Sequence, residues 1–206
     1  NLTKQKIENQ YLRALVFQLF EKNGVIKRNE IDNIVKLIPS EERKKLWAMG
    51  VKIGRYHIYL PKMLKPKAVE FRISLWKIYH NLTNKNEIPK FGLNFINNKE
   101  YEKKFLLLCG FENFREYFVR IDILEKLFVK ILDNTKDRKF KVNAEMMNLL
   151  GCPKENFYRL MTYMNYKKDK AIDTYVFKGE RKTHNKFIKF DKKENPFKKL
   201  LSLDIK

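Results

Sequence analysis

Cysteine is nearly missing from this chain. Its 206 residues hold two, Cys109 and Cys152, far apart and each set in apolar sequence. Neither belongs to a Cys-x-x-Cys pair. With only His57, His80 and His184 beside them, no zinc site of ordinary spacing can be assembled. Both are read as reduced, part-buried thiols. No apolar run approaches the roughly 18 residues of a membrane-crossing helix, and no signal peptide opens the chain. The expectation is a cytoplasmic protein with no membrane partner. Catalytic signatures are missing as well. There is no glycine-rich loop ending in Lys-Ser or Lys-Thr to cradle a phosphate, and no acidic box to hold magnesium. No zinc-protease or serine-hydrolase motif occurs. The sequence names no catalytic residue, no metal ligand and no cofactor of its own.

Acid is scarce. Lys and Arg number 45 against 24 Asp and Glu, for a formal charge of +21. Such a surface attracts polyanions, nucleic acid first. A low-GC genome enriches Lys, Asn, Ile and Phe, and it contributes to the 35 Lys and 19 Asn. It does not account for the shortage of acids. With only 10 Arg, phosphate attraction here is mostly point-charge.

The pattern along the chain is largely helical. Residues 6–22 repeat apolar side chains at helical spacing, and Asn23-Gly24 ends them. A second helix covers 28–38. A third begins after Pro39-Ser40 and ends at Gly50. Two short strands, Lys52-Ile53 and His57-Leu60, form a hairpin turned at Gly54-Arg55. A longer helix follows Pro66. From 81 to 117, Asn, Pro and Gly accumulate, which reads as a linker or loop with a short helix.

A second module starts near 118. Asp122 and Glu125 have capping-box spacing, and Phe157, Leu160, Met161 and Met164 give a later helix its apolar stripe. Helix, strand, two helices and a strand after a charged loop is a winged-helix order. The expected fold is therefore mainly α, in two small helical modules with short β-hairpins, the second winged-helix-like. Its parts are 1–80 with the basic hairpin at 50–61, the linker 81–117, the winged-helix-like module 118–178, and a basic tail, 179–206.

Two surfaces are candidates for nucleic acid. The third helix of the second module sets Tyr158, Arg159, Thr162 and Tyr166 opposite its apolar stripe, as a recognition helix would, or as a solvated face would. The hairpin offers Tyr56 and His57 for base stacking, with Lys52, Arg55, Lys62 and Lys65 for phosphates. The alternative is that its rings pack inward as a wedge and its charges stay in water.

One further signal is a resemblance. The stretch IPSEERKKLWAMGVKIGRYHIYLPKMLKP carries SEER at Ser40–Arg43, GVKIG at Gly50–Gly54, Leu60-Pro61, and Leu64–Pro66. It resembles a segment of the alpha-proteobacterial DExH-type RNA helicases, relatives of the mitochondrial RNA degradosome helicase. Arg120–Leu127 and Met147–Tyr166 are similar to the same family. The resemblance spans roughly residues 10–170 and leaves the tail unmatched. It implies a C-terminal accessory, RNA-contacting region of an ATP-dependent helicase, beyond the motor domains that bind ATP and magnesium. The implied partners are RNA, those motor domains and a ribonuclease. The rival expectations are a protein-interaction platform and a free-standing DNA-binding winged-helix protein.

Overall fold

The computed structural model describes residues 9–80, 87–97, 101–170 and 173–177. The mainly α expectation is corrected. Of these residues 54% are helical and 20% lie in strands, in three small antiparallel sheets, so the fold is α+β. The strands are two to four residues long, too short for alternation to register as a pattern.

The first unit begins with α1 (Gln10–Glu21). The side chain of Asn9 accepts from the backbone N–H groups of Tyr11 and Leu12 and caps it. Leu12, Leu15, Val16 and Leu19 fall on one face and are all buried. The chain turns at Gly24, whose φ of +82° and approach to Met63 leave no room for a side chain. Then come β1 (Val25–Lys27), α2 (Arg28–Leu37), α3 (Ser40–Ala48), β2 (Lys52–Ile53) and β3 (His57–Tyr59). β3 lies between β1 and β2, with Ile58 opposite both Ile26 and Ile53. Ile26, Ile31, Val35, Leu46, Val51 and Ile58 close this core over α1.

A 3-10 turn (Pro61–Leu64) leads into α4 (Pro66–Tyr79). Next are β4 (Phe95–Asn97), α5 (Lys103–Leu108), β5 (Phe111–Phe114) and β6 (Tyr117–Arg120), with sheet order β4-β6-β5. Val69, Ile73, Ile96, Phe105, Leu106, Phe111 and Phe118 form a second core. The stretch expected as a linker therefore contains a helix and two strands with buried side chains. The expected boundary at 118 falls inside β6, whose Tyr117, Phe118 and Val119 are all buried.

The last unit runs α6 (Ile121–Asp133), β7 (Thr135–Lys136), β8 (Lys139–Lys141), α7 (Ala144–Leu150), α8 (Lys154–Tyr163), β9 (Tyr166–Lys168) and β10 (Thr174–Phe177). Its sheet order is β7-β8-β10-β9. Without the β7 arm, the unit repeats the first in both element order and sheet order. α6 matches α1, β8 matches β1, α7 and α8 match α2 and α3, and β10 lies between β8 and β9 as β3 lies between β1 and β2. Both units have winged-helix topology, with α3 and α8 as equivalent third helices and β2–β3 and β9–β10 as the wings. The basic tail lies outside the described residues.

Candidate nucleic-acid interface

The wing of the first unit is held against the second. Glu125, on α6, is buried and points its carboxylate into the β2–β3 turn. Its Oε2 accepts from the Arg55 backbone N–H at 2.6 Å. Its Oε1 accepts from those of Tyr56 and His57 at 2.9 and 2.8 Å. Three successive amides around one carboxylate form an anion nest. Gly54 makes it possible, because a Cβ there would lie 2.3 Å from the Glu125 carboxylate. Arg28 secures the turn from the other side, donating to the Gly54 carbonyl at 2.8 Å. The expected capping box is corrected accordingly. No side chain caps α6, Glu125 serves the turn, and Asp122 instead pairs with Arg120 through two hydrogen bonds.

His57 lies beneath this turn, 2% exposed. Its Nε2 bonds Glu112 Oε2 at 2.8 Å, while Nδ1 faces Glu125 Oε1 at 3.5 Å without a hydrogen bond. Lys27 donates to the other Glu112 oxygen at 2.8 Å. Burial alone would lower the His57 pKa, but the two carboxylates outweigh it and raise the pKa. Burial alone would raise the Glu112 pKa, yet hydrogen bonds from His57 and Lys27 hold it down at about 2. This is a polar rivet joining β1 and β3 of the first unit to β5 and α6.

The expectation of an RNA path along the hairpin is corrected on two residues. His57 is enclosed, and Tyr56 packs edge-on to Phe128 at 5.6 Å against the second unit's core. Neither ring is free to stack on a base. Arg55 is exposed, but it sits at the turn with its guanidinium over Phe128. Lys52 is exposed at the opposite, open end of the hairpin, and Lys62 and Lys65 are exposed in and just after the 3-10 turn that follows it. The cations are split, and no strip of four encloses the rings.

On α8, Phe157, Leu160 and Met161 are buried, while Arg159 and Thr162 are exposed. Arg159 has no ion-pair partner among the described residues. Tyr158 is half-buried. Its hydroxyl donates to Asp173 in the wing, and the ammonium groups of Lys154 and Lys168 sit 5.4 and 5.5 Å from its ring centre. This ring is a platform for two lysines rather than a surface for a base. Tyr166 does not continue the helical face. The helix has ended, and Tyr166 begins β9 with its ring buried against Phe140. Lys167, Lys168 and Lys170 are exposed along the wing.

No family model, curated protein or solved structure matches this chain. The geometry alone therefore carries the reading.

It brings forward residues that the sequence reading left aside. In α3 only Leu46 is buried; Arg43, Lys44, Lys45 and Trp47 are exposed. Arg43 folds back onto the Ile38 and Val35 carbonyls, and Lys44 and Lys45 pair with Glu41 and Glu42 one turn earlier. Such exposed pairs are weak and readily exchanged for phosphate. Lys52 lies 4.9 Å over the Trp47 ring. The clue in the sequence was Val-Ile-Lys after Gly24, a strand of three residues, which turns three helices and a hairpin into a winged helix. No helix among the described residues is long and apolar enough to cross a membrane.

Proposed function

We propose that this protein binds duplex nucleic acid, presenting α3 and α8 as a pair of recognition helices held in fixed relation by the Glu125 nest. One observation carries this reading: the winged-helix topology occurs twice, and each copy leaves its third helix outward with cations on it. Lys44, Lys45 and Lys52 serve the first unit; Arg159, Lys167 and Lys168 serve the second, with Thr162 beside them. The charge of +21 supplies the attraction to the phosphate backbone. B-DNA is the favoured ligand, because its major groove admits a helix while that of A-form RNA is deep and narrow.

The helicase resemblance favours a second reading. Its matched segments fall on α3 with the docked hairpin, on the start of α6, and on α7–α8. In this reading the chain is an accessory region of an ATP-dependent RNA helicase, and the ligand is structured RNA. Both readings make the chain inactive as an ATPase alone.

Competition binding at one fixed salt concentration distinguishes them, using duplex DNA, duplex RNA and single strands of equal length. The expected result is duplex DNA bound at least about tenfold tighter than either single strand. Preference for the RNA duplex selects the helicase reading. No measurable binding to any of them contradicts both and leaves a protein-interaction platform.

A further inference from the structure

Among the described residues, the β7 arm is what the second unit has and the first lacks. It closes one side of a cavity of about 510 Å³, whose other sides come from α6, β8, the second wing and the turn of the first wing. That volume is in the range of small-molecule sites. Phe140, Tyr166 and Phe177 line it as a run of rings, with successive centroids 5.2 and 5.4 Å apart. Phe128 and Leu132 add apolar surface from α6. Leu132 is 54% exposed and Phe177 38%, so this apolar lining is open to solvent.

Two cations border the cavity and no acid does. Arg55 and Arg138 are among its lining residues, and no Asp or Glu is. The Arg55 guanidinium lies 5.8 Å over the Phe128 ring, which places it at the cavity wall. Glu125 bonds the backbone of Arg55, and its oxygens are taken up by the three turn amides. Arg138 is exposed in the β7–β8 turn, with a φ of +62°. That left-handed conformation favours glycine, so backbone preference does not account for an arginine there. Asp137, beside it in the turn, does not line the cavity. Neither guanidinium has an ion-pair partner among the described residues.

We infer that this cavity binds a small organic carboxylate with a flat apolar body, of the aryl-carboxylate class, with Arg55 and Arg138 taking the carboxylate and the rings contacting the body. A guanidinium matches a carboxylate through two parallel hydrogen bonds. The ring wall offers stacked or edge-on contacts to an aryl body. Charge complementarity sets the sign of the ligand, because two cations without a lining acid repel a cationic ligand and gain nothing from a neutral one. None of the lining residues is assigned to the proposed duplex-binding face, so this inference is tested apart from that one.

The experiment is a calorimetric titration of the full chain at constant ionic strength with naphthoate, with naphthalene methanol, which lacks the charge, and with acetate, which lacks the rings. The expected result is saturable binding of naphthoate, and affinities at least about tenfold weaker for the other two. Arg138→Gly suits the positive φ, keeps the fold and weakens naphthoate about tenfold or more, and Arg55→Gln does the same. Lys62→Gln, outside the cavity, leaves the affinity unchanged. Absence of saturable binding, equal affinity for naphthalene methanol or acetate, or an unchanged affinity in the folded Arg138→Gly protein overturns the inference.

Discussion

The two winged helices share a topology and differ in how each is fastened. In the first, the wing is docked. Its turn is capped by Glu125 and its histidine is enclosed between two carboxylates, while α3 touches the core through Leu46 alone. In the second, α8 is the anchored element, with Phe157, Leu160 and Met161 buried. Its wing joins that unit's own core through Tyr166 and Tyr175 and meets α8 through the Tyr158–Tyr175 ring pair, the Tyr158–Asp173 bond and the neighbouring Lys154–Asp173 contact. One fold thus divides its fixed points differently. The first unit gives its wing to internal docking and frees its third helix. The second secures its third helix and leaves the wing's lysines in solvent.

The largest expected effect lies in the second unit. Phe157→Ala removes a fully buried ring and should cost about 3–5 kcal/mol by denaturant unfolding. Trp47→Ala, on the equivalent helix of the first unit, removes a ring that is 66% exposed and should change stability by less than about 0.5 kcal/mol. Comparable costs for the two would erase the contrast between the helices.

Next come the wings. Glu125→Gln places an amide N–H₂ against backbone N–H donors and should cost about 3 kcal/mol. Asp173→Asn, at the other wing, should cost at most about 1 kcal/mol in the same assay. If the order were reversed, the first wing would not be the docked one.

A smaller effect is set by pH. The His57 pKa is raised above 6.5 by its carboxylate partners, so its contribution is full below about 6.5 and is lost as pH rises through the raised value. The Glu112 pKa is held down from 4.5 to about 2, so its contribution is full above about 4.5 and fades as pH falls towards 2. The rivet is therefore strongest between about pH 4.5 and 6.5. Unfolding across pH should show His57→Gln losing most, relative to the parent, in that window. A penalty that grows on the alkaline side would contradict the assigned signs.

Much of this was legible in the sequence where periodicity was long enough. The α1 and α8 stripes are examples, because four apolar residues at helical spacing leave little alternative. The strands were not, since β1 and β9 are three residues each. Missing β1 hid the first winged helix, and missing β9 carried Tyr166 onto a helix that had already stopped. Glu125 was misread for another reason. Its spacing from Asp122 satisfies a local pattern, while its actual partners lie about 70 residues earlier in the chain. Local spacing cannot weigh a contact made by tertiary packing. The paired rings and cations of the hairpin were conspicuous, yet burial decided their use. His57 and Tyr56 went inward, and Lys52, Lys62 and Lys65 remained outside.

The measurement that bears most directly on the central claim is duplex-DNA affinity across a salt series, for the parent and for one charge-reduced variant of each third-helix face. Each phosphate contact on B-DNA contributes about −0.9 to the slope of log K against log salt. Lys44→Gln with Lys45→Gln should flatten the slope by about 1.8, and Arg159→Gln with Lys168→Gln by a similar amount. The four changes together should flatten it by about the sum, with the fold unchanged. A slope that responds to only one pair, or to neither, would contradict two recognition helices acting on one duplex.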